Sequence, residues 1–228
     1  RDLGLPSGNV TVAVLFTVFG SYGVHCRATL FSLLVHTTAK VAVLIAGDTE
    51  GIAHAKSALE MLTEWAGPRG VLARMHFFDL SENAAFKAAW QRLPPEFQAR
   101  SKDNAESHGG FDASDWARLF LDSYMPQWVH RVIYLDVGDV LVLGDISQLW
   151  AFFDNFGPEQ VFGAARMPWT LIEYKQWRRL FNASFVAGGA GFNNGVLLVD
   201  VRRARQTGYA DAFVASMWGM PRNVLKHH

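Results

Sequence analysis

Two acids close an apolar run in the stretch Arg131-Val-Ile-Tyr-Leu-Asp136-Val-Gly-Asp139-Val-Leu-Val-Leu-Gly-Asp145-Ile-Ser-Gln-Leu-Trp150. Val132 to Leu135 has the composition of a buried strand, and Asp136 and Asp139 stand at its end with Val137 and Gly138 between them. A second apolar run, Val140 to Leu143, follows at once. Two carboxylates held close repel each other and desolvate badly, so a cation is their usual partner. A strand tip carrying paired acids and a divalent cation is a seat for a diphosphate. The alternative is a turn acid, Asp139, beside a solvated strand end, Asp136.

Such a tip needs a sheet to hold it, and the chain supplies one. Val10 to Val18, Val41 to Ala46 and Val71 to Phe78 are apolar and strand-length, with helical spacing in Val24 to Leu34 and Ile52 to Trp65 between them. Gly67-Pro68 is a stop signal for the second helix. Phe19 to Gly23 has the composition of a turn. Apolar strands alternating with helices predict an α/β fold with a mostly parallel central sheet covered on both faces. Ser81 to Phe111 reads as a long loop, with Pro94-Pro95 and a polar run from Gln98 to Gly110. Asp112-Ala-Ser114 can cap a helix from Asp115 to Tyr124, with Pro126 beyond it. Asp145 caps a further short helix, and Val161 to Ala165 is a strand candidate. Met167 to Leu180 is aromatic and amphipathic, and Gly188 to Gly191 is a flexible approach to a strand over Phe192 to Asp200. Val201 to Met217 reads as one helix. Ligands of open α/β sheets bind beyond the carboxyl ends of the strands. If Tyr22, the acids and Asn193-Asn194 share that edge, they form one site.

Composition narrows the partners. The chain has 228 residues, enough for one domain with one good core. Lys+Arg and Asp+Glu both total 21, so no global basic field points to nucleic acid. The apolar runs are strand-length and fall short of the roughly 20 residues of a transmembrane helix. The first residue is Arg1, which reads as a trimmed start; membrane attachment is expected only through a removed N-terminal anchor. Cys26 is the single cysteine, so no internal disulfide forms. Asn9-Val-Thr11 and Asn182-Ala-Ser184 are glycosylation sequons.

Four segments in order resemble the retaining glycosyltransferases of family 8, the glycogenin and galactosyltransferase group with the GT-A fold. They are Tyr22-Gly-Val-His-Cys-Arg-Ala-Thr-Leu-Phe-Ser32-Leu33, Trp116-Ala-Arg118-Leu-Phe-Leu, the acid-bearing stretch, and Phe192-Asn193-Asn194-Gly195-Val-Leu-Leu. They are similar to that family's first turn and helix, its "yaRfflp" segment, its metal-binding DxD strand and its FN(A/S)GV strand. The resemblance runs from about Asn9 to Arg205. The stretch from Asp145 to Gly163 looks most like the LARGE-type enzymes that add xylose to protein-linked glycans. The resemblance implies a single GT-A domain that moves a sugar from UDP-xylose, UDP-glucose or UDP-galactose to a glycan or glycoprotein acceptor. It implies a Golgi or secretory lumen, as the lumenal part of a type II membrane protein, in agreement with the sequons.

The resemblance also assigns roles. Asp139 and Asp136 would hold Mn²⁺ or Mg²⁺, hard cations that suit carboxylate and diphosphate oxygens. Tyr22 would stack on uracil, with Thr17 and Phe19 near the base or ribose. Arg118 would neutralise the diphosphate or hold the donor sugar, a task that suits a guanidinium fork. Asn193 and Asn194 would bond sugar hydroxyls near the anomeric carbon, since amides donate and accept together. Plainer roles are a surface aromatic for Tyr22, a surface helix arginine for Arg118 and turn chemistry for the asparagines. Trp169, Tyr174 and Trp177 read as packing or as a sugar-stacking wall. His227 and His228 read as a truncation point or tag remnant rather than as metal ligands.

The chain departs from the family in two places. The family spaces its acids i and i+2, on one face of the strand, whereas Asp136 and Asp139 are i and i+3. A bulge or positive-φ turn at Gly138 would bring them back together. The family's later DQ and HxxGxxKPW segments do not occur, which reads as a C-terminal truncation or as a degenerate, non-catalytic nucleotide- or sugar-binding module. A nucleotidyltransferase would also use paired acids, but Phe19 to Gly23 lacks the lysine of a phosphate loop.

Overall fold

The computed structural model describes residues 11–66, 70–95, 98, 114–166 and 192–218. Asn9 of the first sequon, the whole second sequon, Met167 to Leu180 with its aromatics, Gly188 to Gly191, and His227 and His228 lie outside the described residues; Thr11 of the first sequon is described and is buried.

β1 (Thr11–Val18) is buried along its whole length, and β2 (Lys40–Gly47) is buried except at Lys40. Strands apolar on both faces need helices on both sides, and the sheet provides that layering. Its order is β3-β2-β1-β4-β6-β5, with β3 at Leu72–Asp79, β4 at Arg131–Leu135, β5 at Phe162–Arg166 and β6 at Phe192–Asp200. β1 pairs in parallel with β2 and β4, and β2 with β3. β6 runs antiparallel to both β4 and β5. The sheet is therefore mostly parallel, as the sequence predicts, with β6 returning against it. That reversal matters for function. It brings the start of β6 to the edge where β1, β2 and β4 end.

Alternate strand residues feed the two faces. Val14, Phe16, Ile45, Ile133 and Leu135 pack with Leu30 and Leu33 of α1 (Cys26–His36) and Leu59 of α2 (Thr49–Ala66). Leu15, Leu44, Val132 and Tyr134 pack on the other face with Phe86, Phe120 and Tyr124.

Several elements differ from the sequence expectation. The turn at Phe19 to Gly23 is a 3-10 helix over Gly20–His25 that runs straight into α1, so the helix expected from Val24 begins at Cys26. The expected long loop from Ser81 contains α3 (Ala84–Gln91). Asn83 caps it, its side chain accepting the Phe86 N–H, and Phe86 and Ala89 bury its inner face. The helix expected over Asp115 to Tyr124 is two short ones, α4 (Ser114–Ala117) and α5 (Leu121–Tyr124). Trp116 O accepts both Leu119 N–H at 2.9 Å and Phe120 N–H at 3.2 Å, which tightens the chain into a turn. Fully buried Phe120 then takes a non-helical conformation with φ −107° and ψ 26°. After β4 come α6 (Ile146–Trp150) and, following β6, α7 (Val201–Thr207) and α8 (Tyr209–Trp218). The single helix expected from Val201 breaks at Gly208, which sits at φ +64°.

Candidate active site

β4 delivers Asp136 to the sheet edge, where four side chains meet. Arg118 Nη1 donates to Asp136 Oδ1 at 2.7 Å. The Tyr134 hydroxyl donates a short hydrogen bond to the same oxygen. Arg118 Nη1 also reaches the Tyr134 hydroxyl at 3.1 Å, as does Thr17 Oγ1 at 3.1 Å. Burial raises the Tyr134 pKa well above the ordinary phenol value, so the hydroxyl stays a donor. Arg118 is 7% exposed and stands on the tight turn after α4 rather than on a solvated helix face. The cation facing Asp136 is thus the protein's own Arg118. Thr17 points into this network.

Beyond Asp136 the chain turns, with Gly138 at φ +84°. The positive φ expected at Gly138 is therefore present. Asp139 stands exposed on this turn. α1 and the residues after it brace the segment from below. Gly138 N–H donates to Thr29 Oγ1 at 3.2 Å, Val142 N–H to Ser32 Oγ at 2.9 Å, and Thr38 N–H to Asp145 Oδ2 at 2.9 Å. Asp145 also caps α6, accepting the Ser147 N–H at 2.9 Å, as the sequence predicts. The Thr38 hydroxyl also donates to Oδ2, and that bond first, with those from Ser147, holds the carboxyl well below the usual carboxylate range.

The turn after β1 lies beside this segment. A Cβ on Gly138 would come within 3.1 Å of His25 Cβ, so the acid turn and the 3-10 helix touch. Tyr22 is 51% exposed and its ring leans on His25 with centroids 5.5 Å apart. Phe19 is different. Its side chain is 7% exposed and packs in the core.

β6 closes the site. Asp136 N–H donates to Gly195 O at 2.8 Å. A Cβ on Gly195 would lie 2.9 Å from Asp136 Oδ2, so any larger residue here would have to push that carboxylate aside. Asn193 Oδ1 accepts the Gly195 N–H at 2.8 Å, which is the plainer turn chemistry. Asn193 and Asn194 are both exposed at the mouth. The structure thus brings Thr17, Tyr22, Arg118, Asp136, Asp139, Asn193 and Asn194 to one sheet edge.

The donor set suits a hard cation in one respect. Asp136 Oδ1 is taken by Arg118 and Tyr134, but Oδ2 lies over bare Gly195, and Asp139 is exposed. Among the described residues no group of three His, Cys, Asp or Glu could complete a metal site, so further ligands would have to come from a bound diphosphate or from elsewhere in the chain.

Sequence reasoning gave no role to Tyr134, Thr29 or Gly195. Tyr134 was findable, because residues i and i+2 of a strand share a face and so Tyr134 lies on the Asp136 side.

A model of the glycosyl transferase family 8 matches residues 14–228. Mouse xylosyl- and glucuronyltransferase LARGE2 is 38% identical over 92 residues, covering 40% of this chain and 13% of that protein. The chain therefore matches a small part of that relative's length. The apo crystal structure of mouse xyloside xylosyltransferase 1 superposes with a TM-score of 0.63 at 20% identity, covering 94% of this chain and 78% of that one. The galactosyltransferase LgtC, solved with donor and acceptor sugar analogues, superposes with a TM-score of 0.57 at 22% identity, over 94% of this chain and 69% of that one. These likenesses show a GT-A fold.

Proposed function

This chain belongs to glycosyl transferase family 8, and on that premise we propose that it is a retaining glycosyltransferase acting on a UDP-sugar donor. The donor would be UDP-xylose, UDP-glucose or UDP-galactose and the acceptor a glycan or glycoprotein. The observation that carries this is the convergence of Tyr22, Arg118, Asp136, Asp139 and Asn193-Asn194 on one edge. The segments bearing them are far apart in the chain, and packing of the core alone does not require these polar groups to meet.

Tyr22 would stack on uracil, a contact worth roughly 1–3 kcal/mol. The buried Arg118 guanidinium holds the Asp136 carboxylate in place and adds positive charge beside the departing diphosphate. Asp139 and the Oδ2 side of Asp136 would hold Mn²⁺ or Mg²⁺, which when bound supplies Lewis-acid stabilisation of the UDP leaving group. Asn193 and Asn194 would orient sugar hydroxyls at the mouth. By family analogy the acceptor would enter on the face that the leaving group vacates. The names of the relatives support xylosyl transfer as the first donor to try.

No helix among the described residues is long and apolar enough to cross a membrane. A Golgi or secretory lumen, reached through an anchor outside this segment, is the compartment we propose, supported by the two sequons.

Calorimetry with UDP, with and without Mn²⁺, tests the site. Binding that Mn²⁺ strengthens is the expected result; no binding, or binding indifferent to metal, would sink the metal–diphosphate assignment. Hydrolysis of a UDP-sugar panel by the full-length protein then separates an enzyme from a degenerate binding module, which would be silent on every donor.

A further inference from the structure

Asp48 is a buried carboxylate outside every motif described above. It is 6% exposed and follows directly after β2, at the same sheet edge as the candidate site. Its Oδ1 accepts the Gly20 N–H at 3.0 Å and the Gly51 N–H at 2.7 Å, and its Oδ2 accepts the Gly20 N–H at 3.1 Å. Burial pushes its pKa up, and the backbone donors pull it back. An acid kept in so dry a place must hold something, since burying a charge is costly unless it is hydrogen-bonded.

What it holds is the start of the 3-10 helix. Gly20 is the first residue of that helix and stands at φ +52°. Tyr22 lies two residues on, and its N–H bonds Phe19 O at 3.2 Å. The turn rests backbone on backbone against the first turn of α2, where a Cβ on Gly23 would fall 2.2 Å from Gly51 O. Asp48 bonds one residue on each side of that seam. The Tyr22 ring leans on His25 of the same 3-10 helix, so the backbone that carries both sets much of its height and tilt.

We propose that Asp48 is a positioning residue for the nucleotide base: it pins Gly20 to Gly51 and thereby presents Tyr22 to uracil. This rests on the donor assignment above. Asp48 touches no reacting atom, so its loss should weaken donor binding and spare the chemical step.

The test compares wild type, Asp48→Ala, Asp48→Asn, Tyr22→Ala and the Asp48→Ala/Tyr22→Ala double variant by UDP calorimetry with Mn²⁺, donor-hydrolysis kinetics and melting temperature. Asp48→Ala should raise the UDP Kd and the donor KM about tenfold while kcat stays within about twofold. Asp48→Asn keeps the Oδ1 acceptor but turns an N–H toward Gly20, so its Kd should rise about threefold. The decisive arm is the double variant. If Asp48 acts through Tyr22, adding Asp48→Ala to Tyr22→Ala costs little further affinity. Additive losses, or an unchanged UDP Kd in Asp48→Ala well below its melting temperature, would overturn the inference. Should Asp48→Ala fail to fold, Asp48→Asn decides, alone and combined with Tyr22→Ala, by the same criteria. Failure of the wild type to bind UDP would overturn the donor assignment and this inference with it.

Discussion

Arg118 and Asp136 should be energetically coupled far more strongly than a surface pair. Their side chains are 8% and 25% exposed, and Nη1 lies 2.7 Å from Oδ1. Removing one partner from a buried pair costs about 3–5 kcal/mol, because the other charge is left without compensation. Asp136 keeps some contact with water, which lowers that figure. We expect about 2–3 kcal/mol for Arg118→Gln, where the carboxylate keeps only the Tyr134 hydroxyl. Asp136→Asn should cost at least as much, since it leaves the less exposed guanidinium facing a neutral amide. The Arg118→Gln/Asp136→Asn double variant removes both charges and should recover about 1–2 kcal/mol relative to the sum of the singles. At about 2–4 °C per kcal/mol for a chain of this size, each single variant should melt roughly 4–12 °C below wild type. Urea unfolding followed by tryptophan fluorescence measures all four corners of the cycle. Single losses that add to within about 0.5 kcal/mol would refute the pairing as an energetic unit. Donor hydrolysis should be lost in all three variants, because restoring neutrality does not restore the charges the diphosphate would meet.

Gly195→Ala should place a methyl against Asp136 Oδ2, 2.9 Å away, and Asn193 Oδ1, 3.1 Å away. It should cost about 1–3 kcal/mol in stability, and donor turnover near the wild-type rate would contradict the tight approach of β6 to the acid. Asp145→Asn keeps a capping side chain on α6 but replaces the charged acceptor of the Thr38 and Ser147 bonds with a neutral amide, and should lower stability at neutral pH by about 0.5–1.5 kcal/mol. The carboxyl is held below its ordinary value first by the Thr38 hydroxyl and then by Ser147. A depressed folded pKa contributes stability above the unfolded value and loses it as pH falls. The gap between variant and wild type should therefore be full at neutral pH and close below about pH 4, read from urea midpoints across that range. Cys26 is fully buried and its thiol is pushed up to about 12. It should stay silent to Ellman's reagent at about pH 8 in the native protein and react once the chain is unfolded; rapid native labelling would contradict its burial.

The elements that position the site were legible where local pattern and tertiary demand agreed. Asp145 could be named as a cap because its helix follows immediately, and Phe192 to Asp200 is a strand by composition alone. The site residues came from motif order; no single spacing would have singled out Arg118. What stayed hidden depends on pairings distant in sequence. Thr17 meets Tyr134 only because Leu15 and Tyr134 are register partners, and Asp48 meets Gly20 only because β1 and β2 are neighbours. α3 was missed for another reason. It is only eight residues long, it buries Phe86 and Ala89 with Trp90 packed against the same core, and its existence depends on the burial of Phe86 against Phe120 and Tyr124.

The unusual spacing of the two acids now has a physical account. In a regular strand, acids at i and i+2 would share a face and present similar carboxylates. Here Asp136 still shares a face with Tyr134, and its Oδ1 is committed to Tyr134 and Arg118. An acid at position 137 would remain tied to the strand end. The extra residue and the positive φ of Gly138 instead carry Asp139 onto an exposed turn that Thr29 braces from α1. The two acids have therefore separated in environment. Asp136 forms part of the floor, neutralised from within, and Asp139 is the carboxylate left facing solvent. If this edge takes a metal–diphosphate, metal affinity should fall more in Asp139→Asn than in Asp136→Asn. Stability should respond in the opposite order, because only Asp136 leaves a buried arginine behind.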